Sequence, residues 1–326
     1  MKLVWTREDD MKGGYYRPMA AVRLGASLDD AGNLTAWTHR AVTQDITALL
    51  YGEQPLDQVA ALLGGRRPEP PQELIDFDKN FAYAVPNVRM DVHLDAKPEM
   101  LALWMRGVNK VTDLFAQETF FDQVAKHTGR EPYAWRRELL AEQPRHRAVL
   151  EAAATAIGWS TPPPTETGAK RARGIAVLSH WNSYIAQAVE LSVTEDKEIR
   201  LHRIVNAVDC GTVINPDLVK AQIESAVIFA LTSLYYGEIT LVDGVVQQSN
   251  FNDYRLMRMF ESPPIETVIL PSQEIPGGVG ELGVPCVAPA LVNAIYAATG
   301  AEIRELPLRN LGYRVAEQHA ETGAAA

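Results

Sequence analysis

Residues 277–289, Gly-Gly-Val-Gly-Glu-Leu-Gly-Val-Pro-Cys-Val-Ala-Pro, place four glycines and two prolines in thirteen positions. Glycine admits positive φ and close backbone approach, whereas proline fixes φ. The stretch therefore reads as a stiff, shaped loop, and the rest of the chain has to be built to receive it. One carboxylate, Glu281, sits in its middle. Residues 290–299 follow as a small, apolar helix with Gly300 at the stop position. A glycine turn that feeds a helix start gathers backbone N–H groups where an anion or oxo group can be held. Glu281 is thus a candidate general base. The plainer alternative is a carboxylate facing solvent on a structural turn, and a lone glycine motif does not decide between them.

The chain has 326 residues, 47% of them hydrophobic, enough for one large or two medium domains. A formal net charge of -10 leaves no basic stripe for phosphates, which argues against a nucleic-acid partner. No apolar run stands out as a membrane span and no secretory signal opens the chain, so the compartment stays undetermined. Cys210 and Cys286 have no metal-type spacing and read as small buried residues, and no histidine pair has ligand spacing.

Alternation predicts strands at 2–6 and through 18–45, the latter folded into a hairpin at 28–34, with a charged turn at 7–10. Residues 50–80 read as a proline-rich surface excursion and 81–92 as extended chain. Arg106 and Gly107 lie between an apolar run and a helix at about 113–128. Arg106 is there either a donor fork for an oxyanion or phosphate, or an ordinary ion-pair partner. Further helices are expected at 133–140 and 144–157. The linker-like 160–168 separates a first portion, 1–160, from a second, 161–326. The second portion reads as strands at 173–179, 183–194 and 198–208, a helix at 217–233, strands at 236–242, 245–248 and 267–270, the glycine loop with its helix, and a last helix around 309–319. The fold class is mixed α+β.

Several stretches, taken together and in this order, resemble one family: Lys2 to Asp10 with Tyr16-Arg-Pro18, Trp104 to Val108, Arg145-His-Arg147, Val208 to Pro216, Tyr236 to Thr240, Gln248 to Phe251 with Asp253-Tyr-Arg255, and the glycine loop. The chain resembles the molybdenum-binding subunit of the xanthine dehydrogenase and aldehyde oxidoreductase family, in its isoquinoline 1-oxidoreductase beta-subunit branch. The resemblance implies the C-terminal half of a molybdenum-cofactor-binding domain. It further implies a molybdenum–molybdopterin cofactor, often the cytosine dinucleotide form, and hydroxylation of an aldehyde or aromatic N-heterocycle with water-derived oxygen. Glu281 then corresponds to the general base, and Arg106, Gly107, Gly278, Val279 and Gly280 to cofactor-binding positions. The upstream Gly-Gly-Phe-Gly and Gly-Gln-Gly segments of the family are not in this chain. A partner chain or half carrying them is therefore expected to share the cofactor, an iron–sulfur subunit to take the electrons, and the compartment to be cytoplasmic, or periplasmic if the partner carries a signal. Asn109, Ser225, Ala230 and Leu282 depart from the family pattern. These departures leave room for a second reading, a non-catalytic remnant that binds no cofactor alone and serves as an interaction module.

Overall fold

The structure is a computed structural model that describes residues 1–44, 46, 81–95, 100 and 102–317; the excursion expected at 50–80 lies outside them. Strands β1 (Ala20–Leu28) and β2 (Leu34–Gln44) form the expected antiparallel hairpin, and β3 (Asn87–Asp95) adds to β2 in parallel. Asp29 builds the hairpin turn, its carboxylate accepting from the N–H groups of Ala31 and Asn33 at 2.9 and 2.8 Å.

Helices α2 (Lys110–His127), α3 (Pro132–Leu139) and α4 (Pro144–Ile157) follow, two of them opened by a proline where no N–H is needed. The second sheet runs β10-β6-β5-β4 from β4 (Ala169–His180), β5 (Ser183–Thr194), β6 (Glu198–Asp209) and β10 (Arg314–Val315), with β9 (Ile265–Ile269) parallel to the far end of β6. Helix α5 (Pro216–Tyr235) and the pair β7 (Leu241–Val242) and β8 (Val245–Val246) lie between β6 and β9, and α6 (Val287–Thr299) follows β9.

Strand β5 is buried almost throughout because both of its faces are covered. Ile185, Val189 and Leu191 point into the core shared with α5 and α6. Ala186 and Ala188, small enough to admit a helix, point into the core shared with α4 and the β1–β2 hairpin. Cys210 and Cys286 are free and buried, as the sequence predicts. Helix α5 is 20 residues long with a mean hydropathy of 1.2 over its most apolar window, so one run does reach the length of a membrane span. Asp217, Lys220 and Glu224 are exposed on it, and Val219, Ile223, Ala226, Val227 and Leu231 are buried, which is the pattern of an amphipathic core helix.

Further expectations need correction. Residues 2–6 pair with no described strand, and Leu3, Val4 and Trp5 stand 66–70% exposed. The expected turn at 7–10 is the helix α1 (Arg7–Gly13), started by a reciprocal capping box between Thr6 and Asp9. The helix expected at 309–319 is a 3-10 turn at Leu308–Leu311, stopped by Gly312 at φ 83 and followed by β10.

His146, on α4, is buried and edge-on to Tyr184. Burial, with the charge of Arg145 second, pushes its imidazole down to about 4. The unfolded chain protonates near the ordinary value of 6.5, so between about 6.5 and 4 it binds a proton that the folded chain refuses, and stability falls with pH across that window. Buried Asp122, raised to about 6, acts in the opposite sense over the overlapping range, so a variant isolates the histidine. Denaturant titrations should show a smaller loss of stability from pH 7 to pH 5 in His146→Phe than in the wild type. Equal losses would mean that the imidazole is ionised in the fold.

Candidate active site

The glycine loop is held from two sides. Gly277 N–H donates to Cys210 O at the end of β6 (2.9 Å), and Gly278 N–H donates to Trp181 O in the β4–β5 turn (2.7 Å). Trp181 and Asn182 both take positive φ, 51° and 60°, the geometry of a tight hairpin turn that matches strand twist. A side chain at Gly277 would meet Ser183 Oγ at 2.3 Å and the Asn182 backbone at 2.8 Å, so the loop approaches the turn this closely only with glycine there.

Beyond these anchors the chain turns outward and presents half-buried Glu281. Its Oε1 accepts from Gly107 N–H at 3.2 Å, and its backbone carbonyl accepts from Val284 N–H at 3.0 Å. Gly107 has φ 91° and Val108 φ 43°. A β-branched residue in the left-handed region costs of order 1–3 kcal/mol, and such strain gathers at functional sites.

Arg106 lies beside them with its donors directed at this chain's own groups. Nε donates to Gly280 O (2.6 Å), Nη1 to Ser225 Oγ (2.9 Å), and Nη2 to both the backbone carbonyl and Oε1 of Gln222 (3.0 Å each). Its guanidinium is lowered from the ordinary value by partial burial, with the Glu281 charge opposing. The arginine thus braces the loop against α5. Ser225, a departure from the family pattern, supplies one of the braces, while Ala230 and Leu282 are buried in the core.

The amides of Val279, Gly280 and Glu281 donate to no acceptor among the described residues, and a side chain placed on Gly280 would meet open space. Glu281, Gly107, Arg106 and residues 278–280 therefore come together, with Gly107 buried beneath them and Gly280 on the open side. Sequence reasoning missed three participants. Ser225 stood out only as a departure and Gln222 only as the start of the stretch before it. Arg17 sat in the Tyr16-Arg-Pro18 motif without a role. A cavity of about 640 Å³ between β1, α2 and residues 303–306, lined by Val22, Leu24, Phe115, Phe120 and Ile303, lies apart from Glu281.

The molybdopterin cofactor-binding domain family matches residues 99–263, just over half of the chain, and the chain belongs to that family. Isoquinoline 1-oxidoreductase subunit beta of Brevundimonas diminuta is 30% identical over 316 residues, 95% of this chain and 38% of that one. A membrane-bound aldehyde dehydrogenase (pyrroloquinoline-quinone) of Gluconacetobacter polyoxogenes is 28% identical over 95% of this chain and 41% of its own length. The chain thus spans about two-fifths of these relatives. The crystal structure of quinoline 2-oxidoreductase from Pseudomonas putida 86 superposes with a TM-score of 0.70 at 13% identity, over 94% of this chain and 63% of that one, which shows a shared fold. The resemblance drawn from the motifs to the xanthine dehydrogenase and aldehyde oxidoreductase family holds.

Proposed function

We propose that the chain is the base-bearing component of a molybdenum hydroxylase acting on an aldehyde or an aromatic N-heterocycle, with Glu281 as general base. The observation that carries this is the placement of Glu281: one carboxylate oxygen is fixed by the Gly107 N–H, beside three consecutive amides that have no acceptor among the described residues. That donor set suits an anionic, oxo-bearing pterin cofactor. The amides of residues 279–281 would hold its oxygens, with Gly107 and Gly278 lining it and Arg106 keeping the loop in register from behind. When bound, the molybdenum–molybdopterin group supplies the redox capacity and the water-derived oxygen.

The residues of this chain do the rest. Gly107 fixes Oε1, leaving Oε2, which has no partner among the described residues, to take a proton from the oxygen nucleophile. The brace through Gly280 O keeps the carboxylate from swinging away.

Water exclusion from so open a face requires more polypeptide. Ile214, Leu218 and Ile275 stand 85%, 64% and 80% exposed on the elements that carry the site. We assign them to the surface covered by the portion of the family that carries the other cofactor loops. An iron–sulfur subunit would then carry the electrons onward. Tagged chain purified from its native host should bring down a second, pterin-containing polypeptide, with molybdenum near one per complex. A lone chain free of molybdenum, with no excess binding of a hydrophobic dye, would contradict this reading and favour the remnant.

A further inference from the structure

We propose that Arg17 is the positioning residue of this site: its guanidinium fixes the peptide plane between Arg106 and Gly107, and that plane carries the hydrogen bond to Glu281. The inference rests on the reading of Glu281 as the base. Arg17 Nη2 donates to Arg106 O at 2.8 Å and Nη1 to Val108 O at 3.0 Å. Arg106 O and the Gly107 N–H belong to one peptide group, which is planar and trans, so its oxygen and its N–H point to opposite sides. A cation that grips the oxygen on one side therefore aims the N–H at the other side, where Glu281 Oε1 accepts it at 3.2 Å. The result is a relay of guanidinium, peptide and carboxylate in which each hydrogen bond polarises the next.

The relay matters because this peptide is easily turned. Gly107 has no side chain to resist rotation, and the turn is strained at Val108, which holds φ at 43°. A flipped plane would point a carbonyl at the carboxylate. The second grip, on Val108 O, resists that flip from the far side of the glycine. The approach of Arg17 is itself built in: Tyr16 bridges to Ala102, and Leu103 N–H donates to Tyr16 O at 3.1 Å, which lays residue 17 alongside the 106–108 turn. Arg17 is mostly buried, and burial lowers its guanidinium to about 10, opposed by the charges of Tyr254 and Glu281. It has no carboxylate within hydrogen-bond distance among the described residues, so its two strong contacts are the carbonyls.

The test uses Arg17→Met, which keeps the aliphatic length and removes the donors, and Arg17→Lys, which keeps the charge and can grip one carbonyl. In the assembled protein, amide exchange read by mass spectrometry over residues 103–109 should rise about ten-fold in Arg17→Met and less in Arg17→Lys. Exchange over α6 and β5 should stay unchanged. With a heterocyclic aldehyde as probe substrate, kcat should fall about ten-fold while KM and molybdenum content hold. Millimolar guanidinium should restore protection in Arg17→Ala. Unchanged exchange over 103–109 overturns the proposal, and so does faster exchange with full turnover, or loss of molybdenum in step with kcat. If Glu281→Gln alone leaves turnover intact, the base assignment fails, while the exchange result still decides whether Arg17 holds the turn.

Discussion

Glu281→Gln in the assembled protein should lower turnover by about 10²–10⁴-fold while molybdenum and pterin content stay near normal. The amide keeps the volume and can still accept from the Gly107 N–H through its oxygen, so the loop geometry is preserved. What disappears is the proton acceptor at the second oxygen. The loop is anchored through Gly277, Gly278 and Arg106, none of which involves the side chain of Glu281. Loss of metal together with activity would therefore mean that the carboxylate is structural. Asp at the same position should recover little, because a shorter side chain cannot reach both the Gly107 amide and the nucleophile.

The second large effect lies away from the site, at Arg136 on α3. Its side chain is fully buried. Nε donates to Glu118 Oε2 at 3.0 Å and to the Tyr83 hydroxyl at 3.1 Å, Nη2 donates to Glu118 O at 3.1 Å, and Nη1 pairs with Asp122. The guanidinium also lies 4.4 Å from the Phe121 ring centroid. Glu118 in turn accepts from Val177 N–H on β4, and Asn293 on α6 donates to Glu118 O and Ile175 O. One cation thus ties α2 and α3 to β4 and α6, the helix that follows the glycine loop. Arg136→Leu strands two buried carboxylates and should cost about 3–5 kcal/mol in denaturant unfolding.

The pH dependence of that variant is a sharper test. Burial pushes Asp122 up to about 6 even with Arg136 beside it. Without the cation the folded state holds a proton on Asp122 that the unfolded state releases, so stability should recover as pH falls from 8 to 5. A loss that stays the same at both ends would show that the deficit is a packing void instead. Replacing Glu118 and Asp122 by Gln and Asn alongside Arg136→Leu should restore much of the loss, as buried ion networks exchanged for neutral groups commonly do.

Elements whose signals are local were legible from sequence. The Asp29–Asn33 turn fixed the β1–β2 hairpin, Pro132 and Pro144 marked two helix starts, and Gly300, at φ 78°, marked the end of α6. The reading failed where a local signal was weighed wrongly. Thr6 and Asp9 form a capping box that an apolar neighbourhood obscured, and Gly312 ends the turn where helical spacing was extended too far. At the site, the glycine loop announced itself because its backbone geometry excludes other residues. Arg17, Gln222 and Ser225 were not readable, because their contacts to Arg106 span 89, 116 and 119 residues. No periodicity encodes a hydrogen bond across such distances. The Arg136 network is hidden for a related reason: Tyr83, Glu118, Asp122 and Arg136 sit on three separate segments, and only the packing of α2 on α3 brings them together and buries them.

The most direct test of the central claim is a structure of the assembled protein, purified with its cofactor, with the molybdenum located by anomalous scattering. On the proposed reading, the free oxygen of Glu281 lies within about 3 Å of an oxygen of the bound cofactor, with the Gly107 amide still on Oε1. A Glu281 side chain turned to bulk solvent, or a molybdenum centre that lies on the far side of the β4–β5 turn, would contradict it.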